Sequence, residues 1–122
     1  FPHAALYVDS GVGEPFLYDP GGSYIPPSGE PSGSGDFFSG DDANISDYIK
    51  YWNKEGATVH VTPINTTIEQ EQAIINNAIN AGGAIGGQCA GAVSDALNGV
   101  CGIAPDGWPK ALFENAKKAD CN

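Results

Sequence analysis

The segment from residue 20 to residue 40 restricts the possible folds most, because Gly, Pro and Ser dominate it. Pro lacks the backbone N–H that a helix interior or a central strand requires, and Gly weakens both elements. The segment is therefore predicted to be neither a helix nor a central strand. We assign a Gly/Pro/Ser-rich loop to residues 20–43. A loop of this length in a small domain is either a functional segment or a floppy insertion, and the sequence leaves both interpretations open.

A β-hairpin is predicted before this loop. Ala4 to Asp9 contains the β-formers Leu6, Tyr7 and Val8, and Phe16-Leu17-Tyr18 resumes the extended pattern. Gly11-Val12-Gly13 lies between the two stretches as a turn, and Asp19-Pro20-Gly21-Gly22 ends the second one.

Apolar residues after the loop recur at helical spacing. The predicted helices run from a cap at Asn44 or Ser46 to Lys54, from Thr67 to about Asn80, from Cys89 to Gly99 or Gly102, and from Pro109 to Lys118. A capping box is expected at Thr67 and Gln70, with Ile68, Ile75 and Ile79 facing inward.

The alternation over residues 57–62 predicts a half-buried strand. The expected fold is one α+β domain over residues 1–122, with a small antiparallel sheet packed against the Cys89 helix.

The charge balance excludes several classes of function. Five basic and 15 acidic residues give a net charge of −10, which disfavours binding to nucleic acid or to an anionic membrane and suits a basic partner protein. No apolar run is long enough for a membrane span. Two His and dispersed Cys argue against a zinc site. Asp36, Asp41 and Asp42 lack the spacing of a calcium loop, so they are interpreted as solubilising loop residues. We therefore expect no metal and no cofactor.

Cys89 is the best candidate for a nucleophile. It follows Gly86-Gly87-Gln88, where a flexible segment becomes a helix. A helix N-terminus presents unpaired N–H groups and a partial positive charge, which favour a thiolate and can stabilise an oxyanion. Gln88 could help to polarise a carbonyl or be an ordinary loop residue. The alternative for Cys89 itself is a buried structural cysteine.

His3 and His60 are the two candidates for a general base. If the hairpin turn centres on Val12, Asp19 opposes Ala5 and lies on the same face as His3, within side-chain reach. Asp19 can then orient His3, as the third member of a catalytic triad does. His60 has no comparably placed acid, so His3 is preferred and His60 is interpreted as a solvent-facing residue.

The other two cysteines, Cys101 and Cys121, lie on either side of the last predicted helix. They form either a disulfide that fastens the end of the chain or two reduced thiols, depending on the redox compartment.

Three segments together resemble the permuted branch of the papain-like superfamily, which is related to NlpC/P60 peptidases. They are His3-Ala4-Ala5-Leu6-Tyr7-Val8, Phe16-Leu17-Tyr18-Asp19-Pro20 and the stretch from Gln88 to Leu97. In that branch the histidine strand comes first and the nucleophile helix last. Cys89, Val93 and Ala96-Leu97 match the cysteine helix, whereas Gln88 stands where relatives often have Asn.

The same segments, with Thr66-Thr67-Ile68-Glu69-Gln70, also resemble C-terminal toxin domains of bacterial Rhs-type polymorphic toxins. The abrupt start at Phe1 and the absence of Met are typical of a piece released from a longer precursor. The resemblance implies a secreted antibacterial effector, delivered to the periplasm of a target bacterium and inhibited by a cognate immunity protein. It implies a cysteine amidase or peptidase acting on peptidoglycan peptides. The alternatives are a peptidase, deamidase or lipid acyl-hydrolase acting on a target-cell protein or lipid, and a non-enzymatic acidic binding module.

Overall fold

The computed structural model describes residues 2–122, so Phe1 lies outside the described part of the chain. These residues form an α+β domain, which confirms the predicted class. Its strands and α-helices in chain order are β1 (Leu6–Val8), β2 (Phe16–Tyr18), β3 (Phe37–Ser39), α1 (Ile45–Lys54), α2 (Ile68–Ala81), α3 (Cys89–Leu97) and α4 (Pro109–Lys117). Short 3₁₀ turns occupy Gly40–Asp42 and Val100–Gly102. None of the helices in this range is long and apolar enough to cross a membrane.

The predicted hairpin is present with the predicted register. β1 and β2 are antiparallel, and Leu6 pairs with Tyr18 while Val8 pairs with Phe16. This register centres the turn on Val12. It continues past the strand ends so that residue 19 comes opposite residue 5, as the sequence predicted. The paired stretch is three residues long, shorter than the Ala4 to Asp9 stretch expected for the first strand.

The third strand differs from the prediction. Residues 57–62 are irregular, so the strand expected there was wrong. The sheet instead takes Phe37–Ser39 from the 20–43 segment as an edge strand beside β2, in the order β1-β2-β3. Alternating β-branched residues favour a strand only where a sheet edge supplies hydrogen-bond partners. β3 occupies the edge of β2, and the 57–62 segment pairs with neither of the two outer strands.

Both faces of the sheet are covered by helices. Side chains alternate across a strand, so Leu17 of β2 packs on one face while Phe16 and Tyr18 pack on the other. Leu17 joins an aromatic cluster with Tyr24, Phe38 and Tyr48, which brings α1 against the sheet. On the opposite face, Phe16 and Tyr18 share a core with residues of the other three helices: Ile74, Ala78, Ala90, Val93, Ala96, Leu97, Leu112 and Ala116. The helix that starts at Cys89 therefore packs on the sheet.

The inward face of α2 was predicted only in part. The capping box between Thr67 and Gln70 is present. Ile74 and Ala78 are buried, however, while Ile68 and Ile79 are 56% and 47% exposed, so placing these two isoleucines inward was wrong. The small side chain of Ala78 allows close packing against α3, and Asn77 of α2 donates a hydrogen bond to a carbonyl of α3. These contacts rotate the helix away from the orientation that its most apolar residues would favour.

A disulfide between Cys101 and Cys121 ties the end of the chain to the turn after α3. The amide of Asp120 donates to the carbonyl of Cys101 at 2.8 Å, which adds a backbone contact at the same place. Closing a loop of about 20 residues stabilises a domain by roughly 3 kcal/mol on the chain-entropy model. The bridge leaves Cys89 as the free cysteine of residues 2–122.

Candidate active site

A histidine–aspartate pair lies just beyond the paired ends of β1 and β2. His3 Nε2 is 2.6 Å from Asp19 Oδ1, so the contact predicted from the hairpin register is present. Asp19 is 2% exposed and the His3 side chain is 28% exposed. The carboxylate is thus buried beneath an imidazole that reaches the surface. Because Nε2 faces the carboxylate, Nδ1 is the ring nitrogen directed to other partners.

Tyr48 of α1 contacts this pair, a role that its sequence position did not predict. Its hydroxyl donates to Asp19 Oδ1 at 3.0 Å, so His3 and Tyr48 contact the same carboxylate oxygen. Burial raises the pKa of Tyr48, and the neighbouring charge of Asp19 and this hydrogen bond raise it further. The sequence places Tyr48 in the apolar stripe of α1. A buried tyrosine in such a stripe needs a partner for its hydroxyl, which was the signal available.

Gly22 makes room for the Asp19 carboxylate. A Cβ at this position would overlap all three carboxylate atoms of Asp19, with Oδ1 at 2.5 Å. The amide of Gly22 donates to the carbonyl of Asp19 at 2.9 Å, so the turn after β2 folds back over the side chain. The Asp19-Pro20-Gly21-Gly22 sequence is therefore required for the site as well as for ending the strand.

Replacing Gly22 with alanine is expected to displace the carboxylate and to destabilise the domain by about 1–3 kcal/mol, the usual cost of inserting an atom into a packed region. Urea unfolding monitored by circular dichroism measures this change. Gly33→Ala is the matched control, because a Cβ at Gly33 meets no atom within 4 Å. Equal stability of the two variants would contradict the proposed overlap at Gly22.

Cys89 is the first residue of α3, as predicted, and it is 5% exposed. It belongs to neither of the two hydrophobic clusters. Burial raises the pKa of Tyr48 most, and the charge of Asp19 has the next largest effect. The charge of a Cys89 thiolate makes a smaller contribution in the same direction. Within residues 2–122, Cys89 and His3 are not joined by a hydrogen bond.

The glycine-rich segment before Cys89 is fastened to the turn after Asp19. Asp36 Oδ2 accepts from the Gly21 amide at 2.8 Å and from the Ala84 amide at 3.1 Å. The carbonyl of Asp36 accepts from the Asp19 amide at 2.8 Å. Asp36 therefore links the two segments that flank the site, and its interpretation as a solubilising loop residue was wrong. No local pattern indicated this role, because Asp36 is 15 positions from Gly21 and 48 positions from Ala84.

Gln88 and His60 occupy different surroundings. Gln88 precedes α3 at its cap position, but its side chain makes no capping hydrogen bond. It lines an open groove of about 470 Å³ beside the start of α3. The His60 ring instead lies 6.2 Å from the ring of Phe113 on α4, and His60 is exposed, as the sequence predicted.

Alkaline pH is expected to destabilise the domain through its buried tyrosines. In the unfolded chain tyrosine loses its proton near pH 10. Burial raises the pKa of Tyr24 to about 12 and raises that of Tyr48 as well, so the folded state keeps protons that the unfolded state loses. Stability contributed in this way is complete below pH 10 and falls above it, by about 1.4 kcal/mol per pH unit for each such tyrosine.

Urea unfolding between pH 8 and pH 11 measures this effect. Tyr48→Phe is expected to be less stable at pH 8, by about 1.5–3 kcal/mol for a lost hydrogen bond to a carboxylate. Its stability should also fall less steeply with pH than that of the wild type. Parallel curves for the two proteins would contradict the assignment of the alkaline loss to Tyr48.

Comparisons with protein-family models, with curated proteins and with solved structures gave no significant match to this chain. Within residues 2–122, no three His, Cys, Asp or Glu side chains are grouped closely enough to hold a metal ion.

Proposed function

We propose that this domain is a cysteine hydrolase with a permuted papain-like arrangement, in which Cys89 is the nucleophile, His3 the general base and Asp19 the orienting acid. The observation that most supports the proposal is the 2.6 Å contact between His3 Nε2 and the buried carboxylate of Asp19. A carboxylate that binds one imidazole nitrogen fixes the orientation of the ring, as the third member of a catalytic triad does. The free thiol of residues 2–122 belongs to Cys89, the first residue of α3.

The proposed reaction is acyl transfer in two steps. His3 Nδ1 takes the proton of the Cys89 thiol, and the sulfur attacks the carbonyl carbon of an amide. The tetrahedral intermediate collapses, the C–N bond breaks, and the imidazolium gives its proton to the leaving amine. A thioester remains on Cys89. His3 then takes a proton from water, the hydroxide attacks the thioester, and the C–S bond breaks as the acid is released. The imidazolium returns its proton to the departing sulfur, which restores the Cys89 thiol and the neutral imidazole.

The backbone amides at the start of α3 are the proposed oxyanion site. The first N–H groups of a helix have no partner within the helix, and they point toward an incoming negative charge. Gln88 is adjacent to them, with a side-chain amide that makes no capping bond. Cys89 is buried, so the proposed attack requires its thiol to become accessible to the substrate. Catalytic hydrogen bonds commonly shorten only when substrate is bound.

The proposed substrate is an amide of peptidoglycan peptides, and the proposed setting is a secreted antibacterial effector with a cognate immunity protein. This part rests on the resemblance of the His3, Asp19 and Cys89 segments to permuted papain-like toxin domains. A peptidase or deamidase acting on a protein, or a lipid acyl-hydrolase, would use the same residues and the same first step.

Chemical blocking of Cys89 tests the proposal. The unreduced domain is incubated with muropeptides before and after alkylation with iodoacetamide, and mass spectrometry verifies that one group has been added. The disulfide protects the other two cysteines, so the reagent reports on Cys89. The untreated domain should release new fragments and the alkylated domain none. Undiminished cleavage by the fully alkylated protein would refute the cysteine mechanism.

A further inference from the structure

The 57–62 segment has the composition of a β-strand but pairs with no strand of the domain. Val59 and Val61 alternate with Thr and His, a pattern that favours extended backbone. The segment contains no turn or bend, and none of its residues has a positive φ. The main-chain groups of residues 58–63 form no hydrogen bond with other main-chain groups of residues 2–122. Such an extended stretch is a template for pairing with a strand of another chain.

The valines of this segment lie outside the core. Val61 is 55% exposed and Val59 is half-buried, and neither belongs to the two hydrophobic clusters of the described chain. His60, between them, is exposed. The segment therefore presents both apolar side chains and unpaired backbone at the surface of the monomer.

The order of residues in the segment indicates which strand would fit it. Residues 58–62 read Thr-Val-His-Val-Thr, which is the same sequence in both directions. An interface between two identical chains about a two-fold axis has to be self-complementary. If two copies pair antiparallel with His60 opposite its counterpart, every threonine faces a threonine and every valine faces a valine. Thr–Thr pairs and pairs of β-branched residues stabilise neighbouring strands, and alternation places all four valines on one face of the pair.

The charge of this region also favours a second copy over a basic partner. Residues 56–68 contain no Asp, Glu, Lys or Arg, although the chain has a net charge of −10. On the neighbouring α4, Glu114 lies 3.1 Å from Lys117, so these two charges balance. The segment thus offers no carboxylate to a basic partner. Two copies can meet there without direct contact between like charges, and salt screens the repulsion between the rest of the two chains.

We propose that residues 58–62 pair antiparallel with the same residues of a second copy, so that the domain associates into a two-fold symmetric dimer. Two five-residue strands bury less than the roughly 1,200–2,000 Å² of a stable interface, so the dimer is weak and depends on concentration. This inference is independent of the proposed function, because it involves neither Cys89 nor His3.

Cysteine cross-linking tests the register. In the proposed pair, the two copies of residue 60 have Cα atoms about 4.5–5.5 Å apart, within the range of a disulfide. The two copies of residue 58 are at least about 13 Å apart, because four residues of strand separate them. After mild air oxidation, His60→Cys should give at least about tenfold more linked dimer than Thr58→Cys on non-reducing electrophoresis. The native cysteines do not interfere, since Cys101 and Cys121 are bridged and Cys89 is buried.

Analytical ultracentrifugation from about 10 µM to about 1 mM protein measures the association itself. Dimer should increase with protein concentration and with added NaCl, which screens the net charge. Val61→Asp should weaken association by about tenfold, because two carboxylates would lie on one face of the pair. Val12→Asp is the matched control, since Val12 is 77% exposed in the hairpin turn and the variant carries the same added charge.

Four results would overturn the proposal. The first is a wild-type domain that stays monomeric at every concentration, and the second is equal cross-linking of His60→Cys and Thr58→Cys. The third is equal weakening by Val61→Asp and Val12→Asp, which would show that added charge controls association wherever it lies. The fourth is association that salt weakens, which would indicate contacts between opposite charges instead of paired uncharged strands.

Discussion

Replacing Cys89 with alanine is expected to lower the rate of hydrolysis by at least about a thousandfold, the largest effect predicted for any single substitution. The reason is that the proposed thioester pathway has no nucleophile without the sulfur, and the other proposed groups would supply only oxyanion stabilisation and substrate binding. Fragment release from muropeptides, followed by mass spectrometry over time, measures the change. The fold should be retained, because the substitution removes one atom from a side chain that belongs to neither hydrophobic cluster.

Ser94→Ala is the matched control for this experiment. Ser94 is also buried on α3, and the substitution also removes a single heavy atom. Its hydroxyl accepts a hydrogen bond from the Asp106 amide at 3.1 Å, so the variant should lose stability but keep activity. Equal loss of activity in both variants would show that packing of α3, rather than the thiol, controls the rate. Activity that survives in Cys89→Ala would refute the proposed nucleophile.

Replacing Asp19 with alanine is expected to reduce both stability and activity. Two hydrogen bonds to a buried carboxylate are lost, from His3 and from Tyr48, and a hydroxyl is left without its acceptor. The expected cost is about 3 kcal/mol, because each bond to a charged group contributes about 1.5–3 kcal/mol and the two share one oxygen. In a domain of this size, the corresponding fall in melting temperature is roughly 10 °C. Thermal unfolding by circular dichroism gives this value.

Two further variants separate the structural role of Asp19 from its role in orienting His3. Asp19→Asn keeps an oxygen acceptor for Tyr48 but removes the charge next to His3, so it should be more stable than Asp19→Ala. Its turnover should fall more than its affinity for substrate, because the imidazolium is no longer stabilised. Asp41→Ala, at an exposed position in the turn before α1, should change stability by less than about 0.5 kcal/mol. Wild-type stability and turnover in Asp19→Ala would contradict both roles.

The pairing of His3 with Asp19 was predictable because it depends on local structure. A short glycine turn fixes the hairpin register, and the register fixes which side chains share a face. The starts of α2, α3 and α4 were predictable for a similar reason, since the capping box at Thr67, the glycines before Cys89 and Pro109 act within one helical turn.

The contributions of Tyr48 and Asp36 depend on contacts between distant parts of the chain. Tyr48 is 29 positions from Asp19, and Asp36 is 48 positions from Ala84. The third strand and the inward face of α2 depended on such contacts too. No local sequence pattern indicates which segment will occupy the edge of a sheet. Nor does such a pattern indicate how a helix will rotate about its axis to pack on the core.

By itself, the sequence determined the α+β class, the hairpin register, the limits of the helices and the placement of Cys89 at a helix N-terminus. Each follows from residues within a few positions of one another, where backbone geometry leaves few choices. Only the tertiary structure decided that the 20–43 segment supplies β3 and Asp36, that Tyr48 joins the buried carboxylate and that a groove borders α3. These features depend on packing between segments far apart in sequence. The free-energy differences between competing packing arrangements cannot be predicted from short-range sequence patterns.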